Sequence, residues 1–301
     1  MTRHVTPQVE TFTGANGNRL VSDVFGDNGR PVILLHGGGQ TRHAWRATAA
    51  ELARRGWTAY AVDQRGHGDS EWVADGGYTF PNFASDVKSV ADELARKHGV
   101  RPAAIGASMG GVASMLAEGE TFRDTGDHVL SSLVLVDITP RVDYEGVDKV
   151  QGFMRAHAKE GFATIEEAAD AVAAYLPHRP RPKSTEGLKK NLRLGPDGRW
   201  RWHWDPRFMD GRKSFDPDRN RLEASMLDAA RNIAVPALLV RGGSSELVQE
   251  AHAREFLELV PHAEYVDVGG ARHMVAGDAN DVFASAVIDF LTRTRERASA
   301  R

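Results

Sequence analysis

Several runs of five to seven mostly apolar residues, each followed by a helical stretch, limit what this chain can become. Val32 to Leu35 in "PVILLHGGG" is a continuous apolar run, as expected of a strand buried on both faces. "WTAYAVD" (57–63), "PAAIGA" (102–107), "LSSLVLVD" (130–137), "PALLVRGG" (236–243) and "AEYVDVGG" (263–270) follow the same pattern. Helical periodicity lies between them, at about 43–55, 83–98, 108–118, 248–259 and 278–294. "RLVSDVF" (19–25) follows a Gly/Asn turn and reads as a hairpin strand. Strands alternating with helices predict an α/β fold, a mostly parallel sheet covered on both faces.

The alternation stops between about Pro140 and Pro236. Only helical patterns are read there, at about 146–159, 164–176, 184–194 and 218–232, separated by "PHRPRP" and "GPDG". The expected organisation is a sheet domain made of 1–139 and 233–301, with an all-helical lid of 140–232 inserted between two strands. A chain of 301 residues can form one such domain. No run approaches the ~20 apolar residues that span a bilayer, and "MTRHVTPQVETF" lacks the apolar core of a secretory signal. With no cysteine, disulfides, thiolate metal sites and a cysteine nucleophile are excluded. These features lead to the expectation of a cytoplasmic protein. A net charge of -3 argues against general nucleic-acid binding.

"AAIGASMGG" (103–111) places one hydroxyl, Ser108, where an apolar strand turns directly into a helix. A turn this sharp strains the backbone, and such strain collects at functional sites. Gly106 and Gly110 bracket it because a β-carbon at either position would meet neighbouring backbone. The result is G-x-S-x-G, the nucleophile elbow, with the amides and positive dipole end of a helix beneath the serine.

A serine hydroxyl needs a base. Of twelve histidines, His273 in "VGGARHM" lies just past the last strand, at the same sheet end as Ser108. A base needs an anion to fix its tautomer. Glu246, beyond the penultimate strand in "LLVRGGSSELV", is the expected acid, and Asp137, closing "LVLVD", is the alternative. In "HGGGQ" the glycines follow a buried strand, so Gly38 is the expected oxyanion donor with Met109 as the second.

With these residues in place, the chain resembles the α/β-hydrolase superfamily over nearly its full length. "HGGGQTRHAW", "DQRGHGDS", "GASMGG", "RGGSSELV" and "GARHM" come in the family's order and spacing. The resemblance implies an α/β-hydrolase fold, a mostly parallel eight-stranded sheet flanked by helices, with a lid inserted after the sixth strand. It implies a Ser-His-acid carboxylic ester hydrolase acting on an ester or lactone through an acyl-enzyme, with no metal and no organic cofactor. The family usually has Asp at the position of Glu246, which keeps Asp137 in play. C–C bond hydrolases of ring-cleavage products, cofactor-free haloperoxidases and dioxygenases share the scaffold and remain alternatives. Epoxide hydrolases use an aspartate nucleophile, which counts against that reading, and the intact triad counts against a non-catalytic ligand receptor.

"RWRWHWDPRF" (199–208) alternates Trp200, Trp202 and Trp204 with basic residues, placing the tryptophans on one face of an extended strand. The leading expectation is structural, that they pin the lid to the sheet domain; the alternative is that one or two rings line the substrate pocket. Gly39, His43 and Trp204 are the candidate pocket residues, Arg65 is expected to hold the lid or a neighbouring carboxylate, and Met154 and Met226 are expected in the lid core. The expected partner is a small-molecule substrate, without nucleic acid or membrane, and a homodimer is left open.

Overall fold

The computed structural model describes residues 6–178, 181, 184–210, 218–273, 275 and 280–299. The strands of the central sheet are β1 (Gln8–Thr13), β2 (Arg19–Phe25), β3 (Arg30–Leu35), β4 (Trp57–Asp63), β5 (Ala103–Ala107) and β6 (Ser132–Val136), then β9 (Ala237–Gly242) and β10 (Glu264–Val268). They lie in the order β1-β2-β4-β3-β5-β6-β9-β10. All neighbours from β4 to β10 pair in parallel, while β2 pairs antiparallel with both β1 and β4. The carboxyl ends of β3, β5, β6, β9 and β10 therefore share one edge, where ligands bind in open α/β sheets.

Apolar runs without alternation make this possible. In β3, Ile33 and Leu35 enter one core layer while Val32 and Leu34 enter the other. In β6, Leu133 and Leu135 face the first layer and Val134 and Val136 the second. Helices α2 (Phe80–His98), α3 (Met109–Thr125), α8 (Arg219–Arg231) and α9 (Glu250–Leu259) contribute to the first layer. Helices α1 (Arg46–Arg54) and α10 (Asn280–Ser299) cover the other. A short 3-10 turn, Arg42–Trp45, precedes α1. The expected start of the last helix at Asp278 lies outside the described residues.

Between β6 and β9 the chain forms α4 (Tyr144–Ala156), α5 (Ile165–Tyr175), α6 (Glu186–Lys189), β7 (Leu192–Leu194), β8 (Trp200–Trp202) and α7 (Arg207–Asp210) before α8. This corrects the all-helical reading of the insertion. Only four residues of the helix expected at 184–194 are helical, and Leu192–Leu194 pairs antiparallel with Trp200–Trp202. The cause is "GPDG", which closes a hairpin: Gly195 N–H donates to Arg199 O and Gly198 N–H to Gly195 O. Residues 179–180 and 182, within the expected Pro-rich break, lie outside the described residues. Among the described residues, no helix is long and apolar enough to cross a membrane.

The elbow glycines pack as their motif requires. A β-carbon on Gly106 would sit 2.4 Å from Gly110 O, and one on Gly110 would sit 2.4 Å from Leu35 O. Both obstacles are backbone, so they cannot swing away. Gly110→Ala is expected to lower stability by about 1–3 kcal/mol through overpacking. Urea unfolding measures it, and an unchanged midpoint would count against this packing.

Candidate active site

Two non-glycine residues with positive φ stand out among the described residues: Ser108 at 47° and Asp137 at 50°. Such conformations cost on the order of 1–3 kcal/mol and persist where the surroundings enforce them. Both lie at the sheet's carboxyl edge, immediately beyond β5 and β6. Ser108 precedes α3, so the first amides of that helix, Met109's among them, lack intrahelical acceptors.

The Asp137 side chain is fully buried and well coordinated. One oxygen accepts from the Gly242 amide at 2.9 Å. The other accepts from the Ser245 hydroxyl at 2.5 Å and pairs with His273 Nδ1 at 2.7 Å. Ser245 Oγ in turn accepts from the Leu247 and Val248 amides, both at 3.1 Å. A buried carboxylate is tolerable only with such partners. Nδ1 of His273 is thereby engaged, and its ring stands in the wall of a cavity that also exposes Ser108.

Glu246, the expected acid, does not reach that ring. Its carboxylate accepts from the backbone amide of His273 at 3.4 Å and faces Arg272 at 3.4 Å. The reason is the phase of the turn after β9. Ser245 N–H bonds back to Gly242 O, which aims the Ser245 hydroxyl at the buried carboxylate and leaves Glu246 partly exposed beside the loop. Asp137 is thus the carboxylate on the imidazole, and Ser245 is a partner that sequence reasoning passed over although it sits within "RGGSSELV".

The glycine loop after β3 is fixed residue by residue. Gly37 N–H donates to Gln40 Oε1 at 3.1 Å, and Gly39 N–H donates to His67 Nε2 at 3.2 Å. The intervening Gly38 N–H has no partner among the described residues. Gly37, Gly38, Gly39, Ser108, Met109 and His273 all line the same cavity.

That cavity has a volume of about 440 Å³ and a largely apolar wall. The inserted segment supplies much of it, including Phe153, Met154, Trp202, Trp204, Phe208 and Met226. Met154 and Met226 are buried in the core cluster, as the lid-core expectation has it, and they also reach the cavity. A β-carbon on Gly39, whose φ is +76°, would lie 2.9 Å from Met154 Cε. Trp204 and Gly39 line the cavity as expected, but His43 is not among the lining residues. His43 turns instead toward the buried Asp23, 3.5 Å from its carboxylate, because that acid sits behind the loop with Arg42. Arg65 is buried and forms a bidentate pair with Asp86, both bonds at 2.6 Å, which meets the carboxylate-holding expectation. Among the described residues the lining holds no Asp or Glu, and its one guanidinium, Arg219, is paired with Asp148 and stacked over Tyr144.

Two further histidines lie behind the glycine loop. His36 donates from Nδ1 to Gly37 O at 2.8 Å and accepts the Gln64 amide at Nε2, 3.0 Å. His67 donates from Nδ1 to Arg65 O at 3.0 Å and accepts Gly39 N–H at Nε2. Each ring is thus held as a neutral tautomer. Burial pushes His36 down from 6.5 to about 4 and His67 down to about 3, the latter reinforced by the nearby His36. The unfolded chain therefore binds these protons first. Stability from both rings is fully present above about pH 6.5 and declines as pH falls toward 4, at up to about 1.4 kcal/mol per pH unit per ring. Urea titrations between pH 7.5 and 4.5 should show this fall, and His36→Gln, with no proton to gain, should make it shallower. An equal fall in that variant would contradict the assignment.

The sequence pattern described as "alpha/beta hydrolase fold" matches residues 30–279. The chain is 30% identical over 251 residues to the esterase Rv0045c of Mycobacterium tuberculosis, covering 81% of this chain and 76% of that one. It is 27% identical over 267 residues to 2-(acetamidomethylene)succinate hydrolase of Mesorhizobium japonicum, covering 88% of each. The crystal structure of an E-2-(acetamidomethylene)succinate hydrolase superposes with a TM-score of 0.79 at 24% identity, over 95% of this chain and 99% of the other.

Proposed function

Because this chain belongs to the α/β-hydrolase family, we propose that it is a serine hydrolase cleaving an uncharged carboxylic ester or lactone through an acyl-enzyme. The observation that carries this reading is one cavity shared by Ser108, His273, Gly38 and Met109, with the Asp137 carboxylate on the far nitrogen of the imidazole. In the proposed mechanism Ser108 Oγ attacks the carbonyl carbon while His273 Nε2 accepts the hydroxyl proton. Asp137 keeps Nδ1–H in place and stabilises the imidazolium. The oxyanion accepts from the Gly38 and Met109 amides, neither of which has another partner among the described residues. Collapse of the tetrahedral adduct breaks the C–O bond to the alcohol, which takes the proton from His273. Water then attacks the acyl-enzyme with His273 as base, and the acid leaves as Ser108 recovers its proton.

The chemistry of the wall supports an uncharged substrate. Transfer of an anion into an apolar cavity is costly without a partner charge, and among the described residues the one guanidinium of the lining is already paired. That differs from what the name of the succinate-derivative hydrolase implies for its own substrate. The esterase relative agrees with the general reaction.

Ser108→Ala should reduce p-nitrophenyl ester turnover by ~10⁴- to 10⁶-fold while the protein stays folded. A fluorophosphonate should label the unmodified protein at Ser108. Turnover by the alanine variant at the unmodified rate, or a label on another residue, would overturn the reading.

A further inference from the structure

We propose that His67 is a positioning residue for the oxyanion hole: it holds the Gly39 peptide so that the Gly38 N–H alone is left to face the substrate. The inference rests on the reading of Gly38 as an oxyanion donor. A run of three glycines has little conformational preference of its own, so the direction of the middle amide must be set by what grips its neighbours. Gly37 is gripped from both sides, its N–H by Gln40 and its carbonyl by His36. Gly39 N–H is held by the His67 ring.

His67 suits that task because it cannot easily turn. It is fully buried. Its Nδ1–H is committed to Arg65 O, which leaves a lone pair on Nε2 as an acceptor. Arg65 is itself fixed by Asp86, by Gly77 O and by Asn16. The loop carrying His67 is also stitched to the inserted segment. Gly68 N–H donates to His203 O at 2.7 Å, Asp205 N–H donates to Gly66 O at 2.8 Å, and the His67 and Phe208 rings meet in a T-shaped contact with centroids 4.9 Å apart. One ring therefore connects the glycine loop to the base of the segment that walls the cavity. A misplaced oxyanion donor weakens only the transition state, so the effect should fall on kcat.

The test compares His67→Phe, which keeps the ring volume against Phe208 but has no acceptor, with His67→Gln, whose side-chain oxygen replaces Nε2. On a p-nitrophenyl ester, His67→Phe should lose about 10²-fold in kcat with KM changed by less than about threefold. His67→Gln should recover most of that loss, and the two variants should melt within a few degrees of each other. Equal kcat in the two variants, whether both normal or both low, would overturn the proposal and leave His67 a packing residue. If the unmodified protein neither turns over esters nor takes a fluorophosphonate at Ser108, the hydrolase reading fails by itself. In that case, or if neither variant folds, amide hydrogen exchange in the unmodified protein decides. Protection at Gly39 with rapid exchange at Gly38 supports the positioning role, and equal exchange at both overturns it.

Discussion

The contact between the buried Asp137 carboxylate and the His273 imidazole organises the site around it. A carboxylate at the end of a fully covered strand is unfavourable unless its oxygens are satisfied. The Gly242 amide, the Ser245 hydroxyl and His273 Nδ1 satisfy them. Those groups come from the last residue of β9, the turn after it and the loop after β10, so one anion ties three strand ends together. The left-handed backbone at Asp137 belongs to the same arrangement. Aspartate tolerates that region better than most residues, and there the side chain meets its partners across the edge.

On the other side of Ser108, the same principle is carried by neutral groups. Two imidazoles with fixed tautomers hold the glycine loop from behind, and the Gln40 side-chain oxygen accepts the Gly37 amide. Neutral rings suit this place because a charged ring in the same pocket would need an anion, and an anion there would compete with a negatively charged transition state. Burial keeps both rings neutral across the physiological range. The inserted segment rests on this layer through Trp204, which bridges to His67 along the backbone. The cavity wall and the glycine loop therefore share supports.

Much of this was legible in the sequence, for physical reasons that can be named. Strands buried on both faces must be uninterrupted apolar runs, so "WTAYAVD" predicted β4 to the residue. The elbow was legible because only glycine fits beside the Gly106–Gly110 and Gly110–Leu35 backbone contacts. The acid was not. Asp137 and Glu246 both sit near strand ends, and the choice depends on where the turn after β9 points Ser245, which composition does not encode. The hairpin of β7 and β8 was half legible. "RWRWHW" read as extended, but its partner "LRL" is too short to show a period. His43 was misplaced because nearness to the glycine loop in sequence says nothing of the buried Asp23 behind it. His67 lies within "DQRGHGDS", yet its partner at Gly39 is 28 positions away and appears only after folding.

The most direct test of the central contact is a comparison of kcat between Asp137→Asn and Glu246→Gln on one ester. The account predicts a fall of about 10³- to 10⁴-fold for Asp137→Asn, since an amide there favours the wrong imidazole tautomer, and a change below about tenfold for Glu246→Gln. A large loss in Glu246→Gln with near-normal turnover in Asp137→Asn would contradict it.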